Sequence, residues 1–281
     1  MIPISDSLLD GLLAEDSPYG DLTTAALGIG DRHGRMSFAA RVPLVACGVG
    51  EAARLVRLAG GTAAALVGDG EVVTEGTPLL AADGPAAALH RAWKVAQTLV
   101  ETLSGIASEA RAIVEAARHG NPSAVVACTR KTFPGTKALA IKAILAGGAV
   151  PHRLGLSETV LVFPEHRLFL PAGENPATTV AQLKRRCPEK TIVAEALTAD
   201  DALALAWAGA DVIQLEKFPP DAVRAVADAL DAGGLTATLA AAGGIGPDNA
   251  EAYAAAGARV LVTSRPYLAP PRDVQVRFEV R

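Results

Sequence analysis

The sequence predicts an α/β protein in which an amino-terminal α+β region precedes a parallel (β/α) barrel, closed or incomplete. From residue 124 onward, short apolar strand candidates alternate with helical segments, which is typical of a parallel sheet covered by helices. The first third instead mixes amphipathic helices with short strands that turn residues bracket. The chain has 281 residues, half of them hydrophobic, enough to form one large domain or two modest ones.

The amino-terminal region begins with a helix at residues 5–14, whose leucines share one face behind polar N-cap candidates. The elements expected after it are strands at 35–40 and 63–67, a helix at 50–59 and a meander at 70–80. A long helical stretch then runs from 85 to 118 with a soft spot at Ser104-Gly105. We place a domain boundary near residue 105, because the pattern changes after it.

The remainder of the chain alternates between strands and helices. Apolar strand candidates are residues 124–128, 159–163, 191–194, 211–215, 236–240 and 259–262. Helical segments separate most of them, at residues 136–146, 177–186, 199–208, 220–231 and 247–256. Residues 274–280 alternate with period two and predict a strand that returns to the first sheet. The expected domains are therefore residues 1–105, joined by a carboxyl-terminal strand within 267–281, and a barrel of residues 106–266.

Composition excludes several classes of protein. Thirty acidic against 26 basic residues give a net charge of −4, whereas a general nucleic-acid binder would carry a basic surplus. Every long apolar run is interrupted well before the roughly 20 residues that a membrane span needs. The three cysteines are widely spaced and suggest neither a disulfide framework nor a metal site. We expect a cytoplasmic protein with reduced thiols and with no nucleic-acid or membrane partner.

Polar side chains follow the predicted barrel strands at the points where the strands end. In parallel barrels, ligands bind at the carboxyl ends of the strands. The residues at those points are Thr129-Arg130-Lys131-Thr132, Glu195, Glu216-Lys217, Gly243-Gly244 and Thr263-Ser264. One edge is thus expected to gather cations, carboxylates, a glycine pair and hydroxyls. This set suits a sugar phosphate together with a second, anionic substrate.

Each group has a functional and a structural interpretation. Gly243 and Gly244 would let backbone N–H groups approach a phosphate at the start of the next helix, of which Pro247 would be the first residue. The structural alternative is that they form a plain β–α turn. The Arg130-Lys131 pair suits a carboxylate or phosphate, or is a solvated loop pair. Likewise Glu195 and Glu216 hold ribose hydroxyls or Mg²⁺ carried by a polyphosphate, or form salt bridges.

His152-Arg153 lies in a loop that contains Gly147-Gly148 and is able to reach the same edge. A lone histidine is more often structural, but an adjacent arginine in a glycine-bearing loop favours a binding role. Both interpretations remain open from the spacing alone.

Ordered motifs along nearly the whole chain carry a family resemblance. They are Glu15-Asp16 with Gly20-Asp21-Leu22-Thr23; Leu103-Ser104-Gly105-Ile106-Ala107; Thr129-Arg130-Lys131-Thr132 with Pro134-Gly135; Gly147-Gly148 with His152-Arg153 and Gly155-Leu156; and Gly243-Gly244-Ile245. The third is the most specific. In this order they resemble the quinolinate phosphoribosyltransferase family, the carboxylating nicotinate-nucleotide pyrophosphorylases.

The resemblance implies an amino-terminal α/β sandwich domain plus an open (incomplete) parallel α/β barrel, the type II phosphoribosyltransferase architecture, in a homodimer with shared active sites. It implies transfer of a phosphoribosyl group from phosphoribosyl pyrophosphate to a ring nitrogen, assisted by Mg²⁺. Both substrates are small molecules.

It also implies roles for individual residues. The acceptor would be bound by Arg130, Lys131, His152 and Arg153, and by Lys94 from the neighbouring subunit. Glu195 and Glu216 would face the ribose and Mg²⁺, and these two with Lys131 form the expected catalytic set. The 5-phosphate would be held by Gly243, Gly244, Thr263 and Ser264.

The departures from the family pattern concern the acceptor. The family usually has Glu-Arg where this chain has Trp93-Lys94, and a lysine where it has Phe163. A family Leu-Asp-Asn appears here as Leu215-Glu216-Lys217, and a serine as Ala242. This pattern is similar to the ModD branch of the family, which is associated with molybdenum transport or utilisation. It predicts that the donor half of the site is kept and that the acceptor is not quinolinate. An acceptor with fewer negative groups, or an aromatic base that stacks on Phe163, is expected instead.

Two other functions are compatible with the residues. The loss of the acceptor lysine suits a non-catalytic protein that binds a small anion, such as an oxyanion linked to molybdenum. Lysines at strand ends, Lys131 and Lys217, suit a Schiff-base lyase. Glu216 would stabilise the charged form of its neighbour Lys217, which disfavours that lysine as a nucleophile.

Overall fold

The computed structural model describes residues 3–281, which divide into two compact units. The first unit contains the chain up to Arg111 together with Thr132–Gly148 and Pro266–Arg281. The second contains Ala112–Lys131 and Ala149–Arg265. The protein is a mixed α/β structure with one antiparallel sheet and one larger parallel sheet, so the predicted fold class is confirmed.

The elements up to the long helix are α1 (Asp6–Asp16), α2 (Leu22–Ala26), β1 (His33–Ala40), β2 (Leu44–Val45), α3 (Val49–Leu58), β3 (Thr62–Ala65), β4 (Val72–Val73), β5 (Pro78–Pro85) and α4 (Ala86–Gly120). Helix α1 begins where the Ser5 hydroxyl accepts the backbone N–H of Leu8, and it buries Leu9 and Leu13. Four strands form an antiparallel sheet in the order β13-β1-β5-β3. The pair β2–β4 forms a separate ribbon.

The elements that follow are β6 (Val125–Cys128), α5 (Lys137–Ala146), β7 (Val150–Pro151), β8 (Val160–Val162), α6 (Pro164–Arg167), α7 (Pro176–Arg186), β9 (Ile192–Ala196), α8 (Ala199–Trp207), β10 (Val212–Glu216), α9 (Pro220–Ala232), β11 (Thr238–Ala242), α10 (Ala250–Ala255), β12 (Val260–Thr263) and β13 (Val274–Val280). As the period-two alternation predicts, β13 is a strand of the antiparallel sheet and pairs with β1.

Helix α4 continues without a break through the soft spot expected at Ser104-Gly105. A Cβ atom added at Gly105 would lie 2.4 Å from the backbone oxygen of Pro270. The glycine is therefore required because the chain before β13 passes directly over the helix. The loss of helix stability that this glycine causes is small compared with the steric clash that a side chain at the same position would produce.

The barrel sheet is parallel and has the order β7-β6-β12-β11-β10-β9-β8. The two edge strands of this sheet are β7 and β8. Because they do not pair with each other, the barrel is open. Six of its strands correspond to predicted segments. The seventh, β7, was not predicted, because it has only two residues and one of them is Pro151.

The alternation of side chains along the barrel strands creates one polar face. In β10, Gln214 and Glu216 point to one side, and Ile213 and Leu215 to the other. The register sets Glu195 of β9 beside Gln214. Small apolar side chains of β11 and β12 form a cluster on the same face, namely Ala240, Ala242 and Val262.

One predicted helix boundary is wrong. The segment expected at 247–256, with Pro247 as its first residue, forms a helix only from Ala250. The side chain of Asn249 explains the delay, because its Oδ1 accepts the N–H of Gly246 at 2.9 Å and its Nδ2 donates to the Gly244 oxygen at 3.0 Å. Residues 243–249 are therefore a loop, which we call the glycine loop.

Within residues 3–281, no helix combines the length and the apolar character that crossing a bilayer requires.

A buried charge cluster stabilises the first unit. Lys142 of α5 is buried and pairs with Asp69, and its Nζ lies 3.3 Å from Glu51 Oε1 of α3. Burial alone would lower the pKa of Lys142, but the hydrogen bonds and charges of Asp69 and Glu51 outweigh it and raise that pKa above its usual value. The lysine thus remains charged inside the unit.

Replacing Lys142 by methionine should lower the free energy of unfolding by about 3–5 kcal/mol, because two carboxylates would be left in the interior without their cation. Urea unfolding at pH 7 measures this loss. Arg41→Met is the matched control, since the pair between Arg41 and Asp273 is more than half exposed and is expected to contribute under about 1 kcal/mol. Equal losses in the two variants would contradict the assignment.

Candidate active site

Two carboxylates share the polar face of the barrel sheet at its carboxyl edge. Glu195 is buried and accepts a hydrogen bond from Gln214 Nε2 at 2.7 Å, and Glu216 is the last residue of β10. Burial is the main cause that raises the pKa of Glu195; the Gln214 hydrogen bond opposes it, and the nearby charges of Glu216 and Glu165 raise it further. The two glutamates therefore repel each other, and a cation between them would relieve that repulsion.

The end of β9 is anchored by an arginine that sequence analysis missed. Arg167 donates to both carboxylate oxygens of Asp201 in α8, at 2.7 and 2.8 Å, and to the backbone oxygen of Glu195 at 3.0 Å. Gln214 was missed as well, although it offered a signal. It is a polar residue in an otherwise apolar strand, on the same face as Glu216.

The glycine loop lies directly beside Glu216. Gly243 and Gly244 both have positive φ, at 93° and 76°. A Cβ atom added at Gly243 would lie 2.7 Å from Lys217 Cγ and 3.2 Å from Glu216 Oε1, whereas one added at Gly244 would meet open space. The backbone of the loop can therefore come close to the carboxylate only because residue 243 has no side chain.

The two predicted hydroxyl groups differ in their surroundings. Thr263 is buried, and its Oγ1 donates to the Ile245 oxygen at 2.8 Å and accepts the Arg265 N–H at 3.1 Å. Its hydroxyl thus shapes the glycine loop. Ser264, the next residue, is half-buried at the end of β12.

The predicted cations follow β6 and β7, which are neighbours in the sheet. Arg130 and Lys131 are exposed, and the His152 N–H donates to the Cys128 oxygen at 2.8 Å, which ties the second loop to the end of β6. Burial and then the charge of Arg153 lower the pKa of His152. Burial and then the charge of Arg130 lower that of Arg153. Arg130 and Arg153 thus form one positive region, and His152, because its pKa is lowered, lies beside them as a neutral imidazole at pH 7.

Phe163 lies next to that positive region. Its ring centroid is 5.9 Å from the guanidinium carbon of Arg153 and 5.7 Å from the ring of His166, with the two rings almost parallel at 12°. The Phe163 N–H donates to His166 Nδ1 at 3.0 Å. An aromatic pair therefore occupies the end of β8.

Most predicted site residues thus follow strands of one sheet at the same edge. These are Arg130, Lys131, His152, Arg153, Phe163, Glu195, Glu216, Gly243, Gly244 and Ser264. Lys94 belongs to the first unit instead. There its Nζ lies 4.3 Å from the Trp93 ring centroid and donates to Gln97 Oε1 at 3.2 Å. Among the described residues, no group of three or more His, Cys, Asp or Glu side chains is arranged to hold a metal ion.

Comparisons with known proteins indicate the same family along nearly the whole chain. The family model "Quinolinate phosphoribosyl transferase, C-terminal domain" matches residues 106–277, and the corresponding N-terminal model matches residues 21–104. A protein of Rhodobacter capsulatus named "Putative pyrophosphorylase ModD" is 46% identical over 250 residues, 86% of this chain and 96% of that one. A protein of Escherichia coli O157:H7 with the same name is 39% identical over 279 residues, 99% of this chain and 98% of that one.

Solved structures share the fold. The nicotinate-nucleotide pyrophosphorylase of Ehrlichia chaffeensis superposes with a TM-score of 0.90 at 19% identity, covering 99% of this chain and 100% of that one. The enzyme of the same name from Francisella tularensis gives a TM-score of 0.87 at 21% identity, with 99% and 98% covered.

The close approach at Gly243 can be tested with a pair of alanine variants. Gly244→Ala should lower the free energy of unfolding by about 1 kcal/mol, the cost of a positive φ. Gly243→Ala should lose about 2–3 kcal/mol, because it adds a contact with Lys217 and Glu216 to the same backbone cost. Denaturant unfolding compares the two, and equal losses would show that nothing is close to Gly243.

Proposed function

Because the chain belongs to the quinolinate phosphoribosyltransferase family, we propose that it transfers a phosphoribosyl group from phosphoribosyl pyrophosphate to a ring nitrogen of a heterocyclic acceptor. Nicotinate-nucleotide pyrophosphorylases of this family are pentosyltransferases. The observation that carries the proposal is the order in which chemical groups lie along the carboxyl ends of the barrel strands. Two carboxylates share one face of the sheet, Glu216 lies beside the glycine loop, and a positive region occupies the ends of β6 and β7.

The donor half of the site is the carboxylate side. The bond between ribose C1 and the pyrophosphate oxygen breaks, the electron pair leaves with pyrophosphate, and a ring nitrogen forms the new bond to C1. Positive charge develops on the sugar in such a transfer, as in glycoside cleavage. Glu195 and Glu216 would stabilise that charge. The N–H groups of the glycine loop would bind the 5-phosphate, with Ser264 beside them and Thr263 shaping the loop.

The same two carboxylates fit Mg²⁺. Each is an oxygen donor of the kind Mg²⁺ prefers, and their mutual repulsion favours a cation between them. We propose that Glu195 and Glu216 hold the ion together with substrate oxygens. When bound, Mg²⁺ would neutralise part of the charge on the departing pyrophosphate.

The acceptor half is the positive region. Arg130, Lys131, His152 and Arg153 would bind acidic groups of the acceptor and orient its nitrogen toward the sugar, with Lys131 close to the reacting atoms. At Phe163, where the family has a lysine, the ring stacks with His166 beside Arg153. We propose that this ring contacts the face of an acceptor with fewer negative groups than quinolinate.

A homodimer would complete each site. Lys94 lies on α4 in the first unit, and a neighbouring subunit would contribute it to the acceptor pocket. The ModD names of the relatives support a role in molybdenum transport or utilisation. The free thiols of Cys47, Cys128 and Cys187 suit the reducing cytoplasm, where we propose the enzyme acts.

The donor half can be tested by binding alone. Phosphoribosyl pyrophosphate should bind in calorimetry only with Mg²⁺ present, and Glu195→Gln and Glu216→Gln should each weaken binding by about tenfold or more, since each removes a charge that faces ribose and metal. Glu189→Gln, an exposed residue before β9 and hence at the opposite end of the barrel, is the control and should bind normally. Unchanged binding in both site variants would overturn the role of the carboxylates.

The acceptor half can be tested by restoring the family residue. Phe163→Lys should tighten quinolinate binding by roughly 10- to 100-fold, because an ammonium group can pair with a carboxylate. Phe163→Leu, which removes the ring without adding charge, should not. Tight binding of quinolinate by the unaltered protein would contradict the proposal. If a broad panel of nitrogen heterocycles gives no pyrophosphate release while anions still bind, the chain is a non-catalytic anion-binding protein instead.

A further inference from the structure

Lys217 has an unusual backbone conformation. Among residues 3–281 it is the one non-glycine residue with a positive φ, at 59°. Side chains with a Cβ atom disfavour this left-handed region, and glycine and asparagine tolerate it best. The conformation is held in place because the Lys217 N–H donates to the Ala242 oxygen at 2.7 Å, which extends the pairing of β10 with β11 by one residue.

This backbone directs the lysine side chain across the glycine loop. A Cβ atom added at Gly243 would lie 2.7 Å from Lys217 Cγ, so the aliphatic part of the lysine packs directly over the Gly243 backbone. A residue in the ordinary right-handed or extended region would project its side chain in another direction. The strain therefore sets a cation beside the loop.

The charges around Lys217 and the glycine loop favour the binding of an anion. Lys217 is exposed, and within the described residues no ion pair or hydrogen bond occupies its ammonium group. The positive region of Arg130 and Arg153 follows β6 and β7, and two strands, β12 and β11, lie between β6 and β10 in the sheet. Without Lys217, the only charged side chain at the end of β10 would be the carboxylate of Glu216. A phosphate bound at Gly243 would then face the Glu216 carboxylate, since the arginine at the other end of the loop, Arg265 beside Gly246, lies 3.9 Å from the Asp248 carboxylate.

We propose that Lys217 is a donor-binding residue whose ammonium group pairs with the phosphate held by the glycine loop. The inference rests on the proposed function, because it assumes that a sugar phosphate binds there. The strained backbone is then a stability cost accepted at a binding site, which is where such conformations concentrate. The lysine neutralises the phosphate and partly shields it from Glu216.

The test is calorimetry with ribose 5-phosphate, combined with thermal unfolding, on the full-length protein. Lys217→Asn keeps a residue that tolerates positive φ but removes the charge. It should bind ribose 5-phosphate about tenfold more weakly and unfold at a temperature about 2–4 °C higher. Lys217→Arg keeps the charge and should bind nearly as well as the unaltered protein. Lys190→Asn is the matched control, an exposed lysine before β9 at the opposite end of the barrel, and should bind normally.

The possible outcomes separate the two levels of the argument. Weaker binding together with higher stability in Lys217→Asn supports the inference, because a merely structural lysine would not move the two properties in opposite directions. Normal binding in Lys217→Asn, with the unaltered protein binding ribose 5-phosphate, overturns the role of Lys217 and leaves the proposed function standing. If the unaltered protein does not bind ribose 5-phosphate, the proposed sugar-phosphate site itself is wrong.

Discussion

The parallel register of β9, β10 and β11 is the constraint on which the candidate site depends. It sets Glu195 beside Gln214 and Glu216 beside Ala242, so that two acidic residues from different strands face the same space. A shift of one residue in any of these pairings would turn a carboxylate toward the opposite, apolar face of the sheet. The hydrogen bond of Gln214 and the anchoring of β9 by Arg167 hold this arrangement in place.

Small residues are as important to the site as the charged ones. Ala240 and Ala242 are the small neighbours of Gln214 and Glu216 on the same face of the sheet, and the lack of a side chain at Gly243 lets the loop approach Glu216.

The proposed donor and acceptor halves of the site differ in how closely their residues resemble those of the family. The proposed donor half contains paired acids and a glycine loop, and by the resemblance of the motifs Glu216 and Lys217 stand where the family has a shorter acid and an asparagine. In the proposed acceptor half, Phe163 stands where the resemblance of the motifs places a lysine, and its ring packs against His166 and beside Arg153. A charge that could bind a carboxylate is thus exchanged for an aromatic surface. This contrast is why we propose a conserved donor and a different acceptor.

The sequence by itself determined the fold class, the order of most strands and helices, and the residues that follow each strand. Apolar periodicity and strand–helix alternation are local signals, and the rule that parallel strands present their carboxyl ends at one edge needs no coordinates. The motif residues supplied the family in the same way. The role of Gly105, the two-residue strand β7 and the late start of α10 could not be predicted, because each depends on segments distant in the chain or on a single side-chain contact.

Only the tertiary structure decided which partners the charged residues have. Lys142 is a lysine in an otherwise apolar helix, and it is buried against Asp69 and Glu51, which are far from it in sequence. The same holds for Arg167 with Asp201, for Gln214 with Glu195, and for the strained Lys217 over Gly243. A linear sequence records which charges exist, but the energy of a charge depends on its distance from other charges and on its exposure to water, and packing sets both.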